Sequence, residues 1–174
     1  MKWYVIILSL LLQGYSVPCV HASQAGSVWQ DAVEEVNQGA YDFAYMDFRT
    51  ILETSPDSPY ALRSQFALGE YFFIEKNLPL AAGEFKNFCS LYPHREEALI
   101  ALVYLFKMAQ MENKSGVMKK YRSQIASFGQ HNFIFNEKKS FKFKSAFQRR
   151  YRLITSLNKV ELYVNNQLFT EVSF

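Results

Sequence analysis

The sequence has 174 residues and a formal net charge of +3. That length is enough for one folded domain, or for one small domain with an appendage. Its three histidines are too few for a histidine-rich metal site. The small net charge conceals two halves of opposite sign: residues 23–113 carry six Lys/Arg against thirteen Asp/Glu, and residues 114–174 carry twelve Lys/Arg against three Glu. This asymmetry predicts two functional parts, or two parts that attract each other.

The N-terminus is predicted to be a secretory signal peptide, residues 1–22. Its apolar run of ten residues is, as a helix, too short for a hydrocarbon core of ~30 Å. Small residues fit signal peptidase cleavage after Ala22, so we expect a periplasmic or secreted protein in which Cys89 is the single remaining cysteine and no intramolecular disulfide forms. Cys19 allows an alternative, an outer-membrane lipoprotein, although Pro18 replaces the Gly, Ala or Ser of a lipobox.

Residues 23–128 are predicted to form six helices in three antiparallel hairpins. Apolar residues recur at helical spacing in each segment, and proline, glycine or asparagine separates the segments. The predicted helices cover residues 27–38, 41–54, 59–76, 78–91, 95–112 and 117–128.

Part of this region repeats at a constant offset of 37 residues. A small residue lets two helices approach closely, an aromatic residue one turn later lies on the same face, and a proline ends the helix. The matched pairs are Ala44/Ala81, Phe48/Phe85, Ile51/Phe88 and Pro56/Pro93. Four matches at one offset indicate a helical repeat.

The central hairpin resembles a tetratricopeptide repeat (TPR). The residues at the family's small, aromatic, alanine, aromatic and proline positions are Gly69, Phe72, Ala81, Phe85 and Pro93. The turn at residues 55–61 is similar to that of the bacterial periplasmic subgroup, which includes outer-membrane-assembly and Tol-Pal-associated proteins. The resemblance covers about residues 27–128, with degenerate first and third repeats. It implies a mainly α fold, with about three TPR-like repeats in a short right-handed superhelix.

The same resemblance implies a concave groove, lined by the first helix of each hairpin, that receives a peptide or helix of a protein partner. The groove positions in this sequence are Arg63, Phe66, Glu70, Phe73, Val103 and Lys107. In the competing interpretation, the aromatic residues among them are core. Several aromatic side chains exposed on one face would instead indicate a binding surface.

Residues 129–174 are predicted to be a basic, β-prone segment. Alternation at residues 141–144, 151–154, 160–164 and 168–174 is typical of strands, and Asn165–Asn166 is a good tight-turn pair. We therefore expect a C-terminal β-hairpin or a small antiparallel sheet. A two-stranded hairpin is marginal alone, so this segment should pack on the helices or recruit another strand.

A basic cluster lies in this segment and consists of Lys138, Lys139, Lys142, Lys144, Arg149, Arg150 and Arg152. Three interpretations compete. The cluster balances the acidic helices within the molecule, or it docks on an anionic surface such as phospholipid headgroups, lipopolysaccharide or peptidoglycan. Nucleic acid is the weakest of the three, because an exported protein seldom meets it.

The sequence carries no glycine-rich phosphate loop and no H-E-x-x-H or G-x-S-x-G motif. We therefore expect no catalytic residues, no metal and no cofactor. The predicted function is a non-enzymatic, exported TPR-type scaffold or adaptor in cell-envelope assembly or division. The alternative is a module whose basic C-terminal segment docks on membrane or cell wall.

Overall fold

The computed structural model describes residues 18–132 and 139–174, with side chains described for residues 24–128 and 139–174. Residues 1–17 of the predicted signal peptide lie outside this part, as does Lys138 of the basic cluster. No helix in the described ranges is both long enough and apolar enough to cross a membrane.

Six helices pack in consecutive antiparallel pairs, and each helix contacts the next one along the chain. They are α1 (Pro18–Gln38), α2 (Tyr41–Thr54), α3 (Ala61–Ile74), α4 (Leu78–Leu91), α5 (Glu96–Met111) and α6 (Ser115–Asn132). The prediction of six paired helices is confirmed. The first and last helices are longer than their apolar periodicity indicated, whereas the four between them agree to within two residues.

The connections follow from local chemistry. Gly39 directly follows α1 and has a φ of +78°, a conformation that costs glycine little. Asn77 caps α4, because its side chain accepts a hydrogen bond from the Leu80 amide at 3.3 Å, and a proline follows in the first turn. These devices keep the inter-helix connections short and hold successive helices antiparallel.

The residues matched at the 37-residue offset have equivalent places in the packing. The six apolar members, Ala44, Phe48, Ile51, Ala81, Phe85 and Phe88, are fully buried. Gly69 lies against Phe85 so closely that an added Cβ would stand 2.7 Å from the ring. The sequence repeat is therefore a repeat of helix–helix packing.

A four-stranded antiparallel sheet follows the helices, with its strands in chain order. The strands are β1 (Lys139–Lys144), β2 (Arg150–Ser156), β3 (Lys159–Val164) and β4 (Gln167–Ser173). Asn165 and Asn166 form the last turn with φ of 51° and 68°, as a tight hairpin turn requires. The expected antiparallel sheet is confirmed.

One face of the sheet packs on the helices. Phe66 of α3 makes edge-to-face contacts with Phe143 of β1 and Tyr151 of β2, at centroid distances of 5.2 and 5.8 Å. Buried residues of α3 to α6 and of all four strands belong to one hydrophobic cluster. The connection between β1 and β2 extends this contact, because Phe147 packs against Tyr41 and Phe48 of α2. The other sheet face is left to solvent.

Candidate functional site

Three of the predicted groove residues lie in the core. Phe66, Glu70 and Val103 are fully buried. The apolar face of the chain's own sheet covers this side of the helices, and burying both apolar surfaces together is strongly favourable. The groove prediction required these three side chains to be accessible, and the structure leaves them no exposed surface. For Phe66, the core interpretation describes what is seen.

The other three predicted groove residues differ from one another. Phe73 is half-buried, with its ring 4.9 Å from Tyr104 and 5.9 Å from Phe169 of β4. Lys107 is half-buried too, and its ammonium lies 5.9 Å from the Phe169 ring. Arg63 is exposed to solvent. The six positions therefore do not form one accessible surface.

A chain of buried polar groups joins the helices to the sheet at the centre of this contact. The Tyr151 hydroxyl donates to Oε1 of Glu70 at 2.5 Å, and the hydroxyls of Tyr104 and Tyr151 are 2.7 Å apart. Nη1 of Arg149 donates to the Tyr104 hydroxyl at 3.3 Å. When Glu70 is ionised it only accepts, so the donors run in one direction from Arg149 through Tyr104 and Tyr151 to Glu70. We call these four residues the polar chain.

Burial dominates the electrostatics of the polar chain. It raises the pKa of Glu70 to about 7, against the opposing effects of the Tyr151 hydrogen bond, the Arg149 charge and the nearby Ser145 hydroxyl. Oε2 of Glu70 has no hydrogen-bond partner of acceptable geometry among the described residues. Burial likewise raises the pKa of Tyr104 to about 12, so both tyrosines of the chain stay neutral near pH 7.

Arg149 supplies the positive charge of the polar chain. Its partial burial opposes the charge, but the neighbouring Tyr104, Tyr151 and Glu70 more than offset this and leave its pKa raised. Of the basic cluster, Arg149 therefore fits the interpretation of intramolecular balance. Lys139 fits it more weakly, because its charge acts on Glu96 at the start of α5.

Four other members of the predicted basic cluster form an array on the solvent side of the sheet. Lys142 of β1 lies directly opposite Arg152 of β2, and Lys144 lies directly opposite Arg150. None of these four forms an ion pair with any residue the structure describes. We call them the basic face.

Like charges placed directly opposite each other destabilise a strand pair, so the stability of the sheet does not explain the basic face. Elsewhere on the same sheet surface, facing like charges do have a partner of opposite charge. Glu161 and Glu171 also lie opposite each other, but Lys159 forms ion pairs with both, at 3.0 and 2.9 Å. Facing like charges thus share an ion-pair partner of opposite sign at one end of the sheet and have none at the other.

Apolar side chains lie next to the basic face on the same side of the sheet. The Arg152 guanidinium lies 4.6 Å from the ring centroid of its cross-strand neighbour Tyr163. Tyr163 in turn lies opposite Leu168 of β4, whose side chain is 54% exposed. A single row across the four strands therefore changes from cationic to aromatic to aliphatic. An open cleft of about 470 Å³ runs along its basic part and is lined by Lys142, Phe143, Lys144, Arg150, Tyr151, Arg152 and Asn166.

Sequence reasoning found the basic residues but not the polar chain. Period-two alternation places Arg150 and Arg152 on one face of the strand and Tyr151 on the other, so the sequence alone could have predicted that Tyr151 faces away from the arginines. Glu70 inside the otherwise apolar stretch of residues 66–74 was a second signal of a buried charge. Its link to Tyr104 depends on how the sheet docks, which no local pattern encodes.

Other chemistry is limited in the described part of the chain. No group of three His, Cys, Asp or Glu residues at positions 24–128 and 139–174 is placed to hold a metal ion. Burial raises the pKa of the Cys89 thiol to about 12, so this thiol is a poor nucleophile. No protein-family model matches the sequence, and a search of curated proteins finds no relative.

Proposed function

We propose that the protein is an exported, non-enzymatic module built on a TPR-like array, and that its basic face docks it on an anionic phospholipid surface of the cell envelope. The observation that carries this proposal is the uncompensated array of four cations on the solvent side of the sheet. Selection for fold stability would not place like charges opposite each other, whereas selection for an anionic partner would.

The packing of the central hairpin supports the TPR-like part of the proposal. Gly69 and Phe85, at the small and aromatic signature positions, are in direct contact, and Ala81 is fully buried beside them. Phe72 packs against Tyr45 of the preceding hairpin at 5.3 Å. These are the close helix approach and inter-repeat contact that the signature residues serve in a stacked array.

The chemistry of the sheet surface favours a lipid interface over nucleic acid. Each Lys or Arg near an anionic bilayer contributes ~1 kcal/mol, and aromatic side chains with one polar end suit the headgroup level. Tyr163 and Leu168 supply an apolar flank beside the cations. Single-stranded nucleic acid is bound by stacking successive bases on several aromatic rings, whereas the row beside the cations holds one ring, Tyr163, and the Arg152 guanidinium covers one of its faces.

The proposal is tested by titrating the mature protein with vesicles of phosphatidylglycerol and phosphatidylethanolamine at about 20 mM and about 200 mM salt. The variant Lys142→Gln/Arg152→Gln loses two facing charges and is expected to bind about 30-fold more weakly at low salt. The matched control Lys119→Gln/Lys120→Gln removes two exposed charges from α6 and should bind within about twofold of wild type.

Undetectable binding of wild type at low salt would refute membrane docking. Equal losses in both double variants would show attraction by net charge alone and no defined face. Binding to a single-stranded polynucleotide but not to vesicles would support the nucleic-acid interpretation instead.

A protein partner for the helical array is a second candidate, favoured by one surface of α2. Phe43 is 68% exposed and Met46 is 57% exposed one turn later, with Asp42 and Asp47 beside them in the sequence. Such a surface suits a basic amphipathic helix of a protein in envelope assembly or division. A protein partner that the wild type captures should no longer be captured by the double variant Phe43→Ser/Met46→Ser. The control variant Leu91→Ser, at an exposed position in α4, should still capture it. If both variants capture the partner, this surface is excluded.

A further inference from the structure

We propose that membrane docking through the basic face is regulated by pH, with protonation of Glu70 releasing Arg149 from the polar chain to join the basic face. The inference rests on the proposed docking function and names a control of that same surface. The inference has three requirements. The Glu70 carboxylate must hold the Arg149 side chain inward, and no other anion can take the place of Glu70. Arg149 must also lie next to the residues of the basic face.

The polar chain reaches the basic face directly. Arg149 is the last residue of the connection between β1 and β2, and it is followed by Arg150. Lys144, opposite Arg150, ends the strand on the other side of that connection. The connection is closed by a hydrogen bond from the Ser145 amide to the Arg149 carbonyl at 3.0 Å. The Arg149 backbone is therefore fixed beside the basic face, and only its side chain points into the protein.

Glu70 faces a small set of polar groups. Tyr104 comes from α5, Tyr151 from β2, and Arg149 and Ser145 from the connection between β1 and β2. Both tyrosines remain neutral because burial holds their pKa values well above neutrality. Glu70 is consequently the one group in this set that becomes an anion near neutral pH, and Arg149 is the one cation.

Protonation of Glu70 removes the reason for Arg149 to stay inside. One proton from solvent binds the carboxylate, which can still accept the Tyr151 hydrogen bond through its carbonyl oxygen. Arg149 then has one hydrogen bond to a neutral hydroxyl and no facing anion in the described structure. A half-buried guanidinium without a counter-charge gains hydration by turning outward. The basic face thereby gains a fifth cation beside Arg150.

The test compares vesicle affinity at pH 8 and pH 6, using phosphatidylglycerol, whose phosphate stays ionised at both. Wild type is expected to bind about fivefold more tightly at pH 6, the gain from one added cation near an anionic bilayer. Glu70→Gln should bind at pH 8 as tightly as wild type does at pH 6, and its affinity should not change with pH. Arg149→Gln should match wild type at pH 8 and gain nothing at pH 6.

The control for the histidine side chains is His94→Gln/His131→Gln, which should keep the fivefold gain. Wild-type binding that does not change with pH would overturn the inference and leave docking intact. A fivefold gain retained by Arg149→Gln would also overturn it, and this variant decides the matter if Glu70→Gln fails to fold. Absence of wild-type binding at both pH values would refute docking itself.

Discussion

Glu70 brings an ionisable carboxyl into the contact between helices and sheet, and burial raises its pKa from 4.5 to about 7. The folded state therefore holds this proton more tightly than the unfolded state does. Its contribution to stability is fully present below about pH 4.5 and is lost as pH rises through about 7. The loss amounts to about 3 kcal/mol, because one pKa unit corresponds to ~1.4 kcal/mol.

We accordingly expect the free energy of unfolding to fall between pH 5 and pH 8, and Glu70→Gln to remove most of that slope. Urea unfolding at about pH 5, 6, 7 and 8 measures it. Asp57→Asn, in the exposed turn before α3, is the control and should keep the wild-type slope. A Glu70→Gln profile parallel to wild type would show that Glu70 does not titrate in this range.

Gly69 permits a close helix approach in the central hairpin. An added methyl group would meet three ring carbons of Phe85 at 2.7 to 2.9 Å, and that ring is held from another side by Tyr104 at 4.8 Å. We expect Gly69→Ala to lower the free energy of unfolding by about 2 kcal/mol, because overpacking outweighs the gain in helix propensity.

Gly83 is the matched control for that substitution. It lies inside α4, where an added Cβ meets nothing within 4 Å. Gly83→Ala should therefore raise the free energy of unfolding by about 0.5–1 kcal/mol. Urea unfolding of both variants gives the comparison, and changes of the same sign would contradict the packing argument.

At the scale of elements, the turn between β3 and β4 sets the pairing of the last hairpin. Asn165 has a φ of 51°, and its side-chain oxygen accepts the Arg150 amide at 3.0 Å, which ties the turn to β2. We expect Asn165→Ala to cost about 2 kcal/mol, from left-handed strain and the lost hydrogen bond. Asn166→Gly should be neutral or stabilising, since glycine suits a φ of 68°. Thermal unfolding tests both, and equal losses would argue against this turn geometry.

Local patterns sufficed for the elements but not for their docking. The helix ends at Gly39 and Asn77 and the turn at Asn165–Asn166 follow from backbone and side-chain preferences that act over a few residues. The irregularity in the pairing of β3 with β4, which turns Phe169 toward Phe73 and Tyr104, carries no such local signature.

The candidate site divides in the same way. The alternation of Lys142 and Lys144 with phenylalanine predicts one cationic strand face. Arg149, the next arginine along the chain, points inward instead, because Tyr104 and Glu70 are brought near it by helices more than forty residues away in sequence. Burial of Phe66 depends on the same long-range contact and could not be read from helical spacing.

At the scale of the whole molecule, the acidic and basic halves are in contact but form few ion pairs with each other. Every ion pair of the described residues joins residues within one half or close in sequence, and the basic face has none. The contact between the halves is instead apolar and aromatic, with the polar chain at its centre. The opposition of charge is therefore not what holds the fold together.

Salt should consequently separate stability from docking. Raising salt from about 20 mM to about 500 mM shortens the screening length several-fold, yet buried apolar contacts do not depend on it. We expect the free energy of unfolding in urea, a neutral denaturant, to change by less than about 1 kcal/mol, while affinity for anionic vesicles falls at least about tenfold. A loss of several kcal/mol in the free energy of unfolding would mean that electrostatic attraction between the halves maintains the fold. The main role of the basic residues would then be to stabilise the acidic helices, and not to bind a membrane.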